Sequence, residues 1–367
     1  MRIHGAVLAA SGAERPYSAS RPLRIEELEL DGPAATEVLV RVEVAGLCHS
    51  DLSVIDGNRP RPLPMLLGHE AAGIVEQVGD AVTDLAVGQR VVMTFLPRCG
   101  QCAACATDGR APCIPGSAAN GVGELLAGGR RLTRDGVPLN HHLGVSAFAT
   151  HTVVDRRSVV PVGDDVPARV AALLGCAVLT GGGAVVNVGR PQPGQRVAVV
   201  GLGGVGMAAV LTALAHDGVE VLAVDPVADK RDLALRLGAH LALTPDEVAA
   251  SGITADVAID AAGVVPAFES AVAMTAIGGR TVTIGLPHPD ARASISPLAL
   301  TAGGREIVGS YLGSCVPARD VPRFEAMWRS GALPVESLVS GTVSLEDIND
   351  GMEALAAGAA VRQIVEF

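Results

Sequence analysis

The 367-residue chain carries 28 Lys and Arg against 39 Asp and Glu, a net charge of −11, with no basic run longer than two residues, which argues against a nucleic-acid partner. Its length suits two domains, and 49% apolar residues with only 2% aromatics point to aliphatic cores in both. The first residues lack the apolar run of a signal peptide, so a cytosolic (cytoplasmic) protein is expected, in which seven cysteines suit metal binding or catalysis better than disulfides.

From the N-terminus, short β patterns at 38–45, 72–78, 89–94 and 150–155 alternate with turn signals, the rhythm of an all-β, barrel-like domain. The segment 170–189 has no charged residue and is long enough to span a bilayer, but Thr180, Gly181-Gly182-Gly183 and Asn187 mark it as a helix-breaking soluble segment, and no membrane partner is expected. Strand and helix then alternate. Strands predicted at 196–200, 220–224, 239–243, 256–260, 279–284 and 305–309 make a six-stranded parallel sheet of the doubly wound α/β class. The tail holds a helix at 322–329, a Gly-Thr-Val-Ser segment, a helix after Ser344 and a final strand at 361–367. Such a tail can return to the first domain, which would then be split: 1–177 with 312–367, enclosing 178–311.

The most informative stretch is Arg196-Val-Ala-Val-Val-Gly201-Leu-Gly203-Gly204-Val205-Gly206, a strand, a glycine turn and the opening of a helix. Gly201, Gly203 and Gly206 fit G-x-G-x-x-G, a spacing that turns the chain sharply and brings backbone N–H groups to a pyrophosphate at the helix N-terminus. The next strand ends in Asp225, where the ribose-binding carboxylate belongs. A carboxylate accepts from a free 2′-hydroxyl and repels a 2′-phosphate, which favours NAD over NADP.

Two sets of potential metal ligands stand before that turn. Cys99, Cys102, Cys105 and Cys113 lie within one Gly/Pro-flanked loop. Four thiolates so close suit a closed tetrahedral zinc or an iron–sulfur cluster, and the lack of any other sign of electron transfer favours structural zinc. Cys48 and the His69-Glu70 pair lie at the ends of β patterns, and Cys176 lies just before the dinucleotide segment. Three protein ligands with a fourth position open is the arrangement of a catalytic zinc.

These motifs, in this order, resemble the zinc-dependent alcohol dehydrogenases of the medium-chain dehydrogenase/reductase superfamily over essentially the whole chain: Gly-x-Cys-His-Ser-Asp, Gly-His-Glu-Ala-Ala-Gly, the four-cysteine loop, Gly-Cys-x-x-x-Thr-Gly and the glycine turn. The resemblance implies a GroES-like β-barrel catalytic domain and a Rossmann domain. It also implies two zinc ions per chain and reversible NAD-linked oxidation of primary or secondary alcohols to aldehydes or ketones, by hydride transfer from an alcohol held at zinc. Cys48, His69 and Cys176 would bind that zinc, Ser50 would take the alcohol proton, Asp51 would orient His69, and Glu70 would sit behind the metal. His49 and Arg362 would contact the pyrophosphate, Lys230 the adenosine ribose beside Asp225, Thr180 the nicotinamide region, and Phe95 the substrate. Cys315 matches no ligand position. The segment from Cys113 to His141 is similar to the longer loop of dimeric members, which implies a homodimer. Ser53 stands where many members place a proton-relay histidine.

The runner-up is a thiol-dependent formaldehyde dehydrogenase acting on an S-hydroxymethyl adduct, to which Arg59 and Arg61 would offer positive charge. A non-catalytic NAD- or zinc-binding protein is the other alternative. It has no use for Ser50 or for a three-ligand metal set.

Overall fold

The computed structural model describes residues 1–358 and 360–367, which form two compact units: Met1–Cys176 with Val316–Glu325 and Val339–Phe367, and Ala177–Cys315 with Ala326–Leu338. The segment Ala326–Leu338, expected with the first domain, clusters with the second unit.

In the first unit the strands are β1 (Arg2–Leu8), β2 (Leu23–Leu30), β3 (Glu37–Gly46), β4 (Met65–Leu66), β5 (Glu70–Val78), β6 (Arg90–Met93), β7 (Leu132–Arg134), β8 (Val137–His141), β9 (His151–Asp155) and β10 (Val159–Pro161). A small barrel closes in the order β1-β2-β7-β8-β4, and a second sheet runs β10-β6-β5-β3, with β9 also on β3. Val, Ile and Leu on β3, β5 and β6 supply the branched, half-buried surface that pleated strands favour. Register then sets the site. Gly46, the last residue of β3, faces Glu70, the first of β5, and Ala71 faces Met93, the last of β6. The loops carrying Cys48, His69 and Phe95 therefore leave the sheet at one end.

The second unit holds six parallel strands, β11 (Arg196–Val200), β12 (Glu220–Val224), β13 (Leu241–Leu243), β14 (Ala255–Asp260), β15 (Thr275–Thr283) and β16 (Glu306–Gly309), in the order β13-β12-β11-β14-β15-β16. This is the doubly wound order, with the direction of strand succession reversing between β11 and β14. Four of the five residues of β11 are buried, as befits a parallel strand covered on both faces. In the tail, β17 (Val339–Val343) lies parallel to β18 (Arg362–Glu366), and β18 pairs antiparallel with β3, Ile364 facing Gly46. Arg362 thus arrives at the sheet end already occupied by Cys48 and Glu70.

The segment expected to break as a helix does not. Ala168–Gly189 is one helical run with π-helical stretches at Leu174–Val178 and Ala184–Gly189. Its glycines are used for close packing: a Cβ at Gly181 would overlap the Val205 carbonyl oxygen of the neighbouring helix Gly204–Leu214. The run is long and apolar enough to cross a membrane, yet most of it is buried inside the protein.

Within the barrel His141 is fully buried and its Nε2 accepts a hydrogen bond from the Arg131 backbone N–H at 3.1 Å. Burial, helped by the nearby Arg131 and Arg130 charges, pulls its pKa down to about 3. The folded protein then refuses a proton that the unfolded chain accepts below about pH 6.5, so stability falls as pH drops from there toward the folded value. At pH 5.5 that difference costs about 1.4 kcal/mol. Urea unfolding at pH 7.5 and 5.5 is expected to show about that much less acid loss in His141→Gln than in the parent. Equal losses would refute the assignment.

Candidate functional site

Cys48 is the N-cap of the short helix His49–Ile55, and Asp51, in its first turn, accepts the Cys48 backbone N–H on Oδ2 at 3.3 Å. The other oxygen of Asp51 accepts from the Gly68 N–H at 3.1 Å and lies 3.1 Å from His69 Nδ1. Asp51 therefore ties both ligand loops together. Burial pushes this carboxyl up, but His69 and His142 outweigh it and hold it below the ordinary range. With Nδ1 donating to Asp51, His69 presents the lone pair of Nε2, which lies 3.6 Å from Cys176 Sγ.

The donor atoms of Cys48, His69 and Cys176 all lie within 4.8 Å of one another and are buried. Zinc bonds of about 2.3 Å to sulfur and 2.0–2.1 Å to nitrogen at tetrahedral angles place S and N about 3.5 Å apart, so the donor set and its spacing fit zinc. The thiols are polarised. Contact with Cys176 pulls Cys48 well down, aided by Arg362 and His69 against burial, while sharing that charge and burial push Cys176 up.

Glu70 is fully buried, and its carboxyl is pushed up to about 7 by burial against the pull of Arg362. Arg362 is not a solvated surface cation: it is 3% exposed, donates to the Leu47 carbonyl at 2.8 Å, and its Nε lies 3.6 Å from Glu70 Oε1. Phe95 is 8% exposed and meets the His69 ring edge-to-face, centroids 5.5 Å apart. Ser50 follows His49 in the first turn beside Cys48, half-buried, whereas His49 is exposed. Ser53 donates its hydroxyl to the His49 carbonyl at 2.8 Å, so that proton is directed into the helix.

Cys99, Cys102, Cys105 and Cys113 also bring four sulfurs within 4.8 Å, with Cys99 Sγ and Cys105 Sγ 3.9 Å apart. Cys113 Sγ accepts from the N–H groups of Cys99 and Gly116. The Ile114 N–H leads the pull that brings Cys102 down to about 6. Arg98, which sequence reasoning passed over, donates to the carbonyls of Ala104, Cys105 and Ala111 and laces the loop closed. Arg319 reaches it from the tail through Asp108 at 2.7 Å.

In the second unit, Gly201, Gly203, Gly204, Val205 and Gly206 form the predicted turn and helix start, with Gly203 as the N-cap. Asp225 Oδ2 accepts the Leu202 N–H at 2.7 Å and Oδ1 the Val227 N–H at 2.8 Å, so the acidic residue braces the turn as well as ending β12. Lys230 is half-buried in the first turn of Ala228–Arg236, but it is Arg231 that bonds the corner, donating to the Asp225 and Pro226 carbonyls. Thr180 is 9% exposed beside Gly181. Cys315 is buried, with its thiol on the Leu179 carbonyl at 3.2 Å.

One residue at the site went unnoticed in the sequence. His142 Nδ1 lies 3.1 Å from the same Asp51 oxygen that His69 uses, and burial, against the pull of Asp51, keeps its pKa below the ordinary value. The only signal was a His141-His142 doublet in an apolar stretch.

Residues 34–164 match the alcohol dehydrogenase GroES-like domain and residues 204–330 the zinc-binding dehydrogenase domain. The chain is 36% identical over 359 residues to an NDMA-dependent alcohol dehydrogenase of Amycolatopsis methanolica, covering 95% of this chain and 96% of that one. It is 37% identical over 356 residues to a geraniol dehydrogenase of Castellaniella defragrans, covering 94% and 95%. The crystal structure of a benzyl alcohol dehydrogenase from Acinetobacter calcoaceticus superposes with a TM-score of 0.91 at 30% identity, covering 100% of this chain and 99% of that one. Matched by both domains, and over 95% or more of its length by two of these relatives, the chain is an oxidoreductase and belongs to the zinc-binding alcohol dehydrogenases of the medium-chain dehydrogenase/reductase superfamily.

Proposed function

We propose that this protein is an NAD-linked alcohol dehydrogenase that interconverts primary or secondary alcohols and their aldehydes or ketones, holding one catalytic and one structural zinc per chain. The observation that carries the reading is the buried Cys48, His69 and Cys176 donor set, three ligands that leave a fourth position for an alcohol oxygen. When bound, zinc supplies Lewis acidity that lowers the pKa of an alcohol, and NAD supplies the hydride acceptor.

The residues divide the remaining work. Asp51 fixes the tautomer and rotation of His69, so that Nε2 is always the free donor. Ser50 accepts the alcohol proton and passes it on, and the Ser53 hydroxyl, bonded to a helix carbonyl, leaves the end of that path to solvent or another base. Phe95 gives the site an apolar wall beside the imidazole. Arg362 and Glu70 place a buried charged pair behind the thiolates. The glycine turn takes the pyrophosphate and Asp225 the ribose, with His49, Lys230 and Thr180 as further cofactor contacts.

The named substrates of two relatives, geraniol and benzyl alcohol, put allylic and benzylic alcohols first in the test. The NDMA dependence of a third favours a second reading, in which turnover requires NDMA. We further place the protein in the cytosol as a homodimer without nucleic-acid or membrane partners, on its charge and its long 113–141 segment.

The test is turnover of the purified, metal-quantified protein on primary, secondary, allylic and benzylic alcohols with NAD, NADP or NDMA as acceptor, and on formaldehyde with and without thiols. The expected result is NADH formation from free alcohols at about two zinc ions per chain. Turnover with NDMA alone moves the reading to the NDMA-dependent one, and turnover only with thiol moves it to the adduct dehydrogenase. Silence across the panel with zinc and NAD both bound overturns it.

A further inference from the structure

His142 and Asp51 are 1% and 0% exposed, and the contact between them lies on the side of the carboxylate that the metal ligand also uses. Asp51 Oδ1 thus has three neighbours, the Gly68 N–H, His69 Nδ1 and His142 Nδ1, each at 3.1 Å. The His142 nitrogen approaches off the direction of a well-aligned hydrogen bond, so it shares the oxygen's charge while leaving the better-aimed bond to His69. The two imidazoles also meet edge-to-face, centroids 5.4 Å apart at 88°. Phe95 meets the same ring at 87°. The His69 ring is therefore packed edge-to-face against two rings and pinned by one carboxylate.

The backbone that presents His142 is costly to form. Its N–H donates to Ser146 Oγ and its carbonyl accepts from the Val145 and Ser146 N–H groups, while Ser146 Oγ donates to the Leu66 carbonyl. This tight turn forces Leu143 and Ser146, neither a glycine, to φ of 53° and 52°. Left-handed residues of this kind are strained and persist where surrounding structure requires them.

We propose that His142 is a positioning residue for the metal-binding imidazole: it fixes the plane of His69 and limits how much of the Asp51 charge reaches it, and so sets how tightly His69 holds the catalytic metal. The inference rests on the reading of Cys48, His69 and Cys176 as metal ligands. Partners that orient a ligating histidine change metal affinity by about 10–100-fold when lost.

The test uses the full-length zinc protein and two variants, His142→Phe, which keeps a ring and loses the N–H, and His142→Asn, which keeps an N–H donor and loses the ring. Zinc release to a coloured chelator is followed for both ions, with the four-cysteine zinc as the internal control, and the visible bands of the cobalt-substituted proteins are compared. In His142→Phe one of the two ions is expected to leave at least about tenfold faster with shifted cobalt bands, the other ion unchanged, and His142→Asn is expected to recover part of the loss. Parent-like release and spectra in both variants overturn the role of His142 and leave the metal site standing. Faster loss of both ions in both variants marks a role in the fold instead and also overturns it. A parent protein that binds metal only at the four cysteines overturns this inference together with the reading beneath it.

Discussion

Replacing His69 by alanine is expected to lower kcat/KM for alcohol oxidation by at least about 10³-fold and to leave one zinc ion per chain where two are expected in the parent. The factor corresponds to about 4 kcal/mol of transition-state stabilisation, the scale on which a metal ion acts on a developing alkoxide charge. The loss is large because neither ring packed against His69 replaces Nε2. Phe95 is apolar, and His142 Nδ1 lies 3.1 Å from Asp51 Oδ1. The substitution also strands a fully buried Asp51 with one imidazole fewer, so some stability is lost as well. Metal analysis separates the two effects, because the four-cysteine ion, held by Cys99, Cys102, Cys105 and Cys113, shares no ligand with His69 and should remain. His69→Ala with both ions present, or within tenfold of parent activity, would remove the metal from the proposed chemistry.

How much of this was legible beforehand depends on how local each determinant is. The glycine turn and its strand sit in eleven consecutive residues, and a run of β-branched residues ending in closely spaced glycines admits few conformations. The four cysteines lie within a fifteen-residue stretch, so chain connectivity alone brings them near one another. The other donor set spans 48 to 176, and no spacing rule joins those positions. The resemblance to a family suggested it, and the register of β3, β5 and β6 explains it. What stayed hidden depends on packing. Gly181-Gly182-Gly183 reads as a break by propensity, and contact with the Gly204–Leu214 helix overrides that preference. Arg362 could have been any surface cation until the pairing of β18 with β3 carried it to Leu47 and Glu70. His142 owes its role to a turn containing left-handed Leu143 and Ser146, a conformation those side chains do not advertise.

The glycine turn itself gives the second large prediction, a contrast between two alanine substitutions three residues apart. At Gly203 an added Cβ would meet nothing within 4 Å, and the φ is that of ordinary extended backbone, so Gly203→Ala is expected to fold with an unchanged Tm. That empty space is where a pyrophosphate must approach the helix N-terminus, so the same variant is expected to raise KM for NAD at least about tenfold, with kcat at saturating cofactor much less affected. At Gly206 the added Cβ would overlap the Gly201 carbonyl oxygen, part of the turn's own backbone. Gly201 cannot move away freely. It holds φ +93° with Ala262 packed against it, and its N–H donates to the Val224 carbonyl at 2.8 Å. Gly206→Ala is therefore expected to lower Tm by several degrees even without cofactor, as forced overpacking of about 1–3 kcal/mol does. Thermal melts of both apo variants with NAD titrations decide the matter. A Gly203→Ala protein that binds NAD like the parent would place the pyrophosphate elsewhere, and equal melting losses in the two variants would mean that the turn is strained throughout rather than open at one glycine and closed at the other.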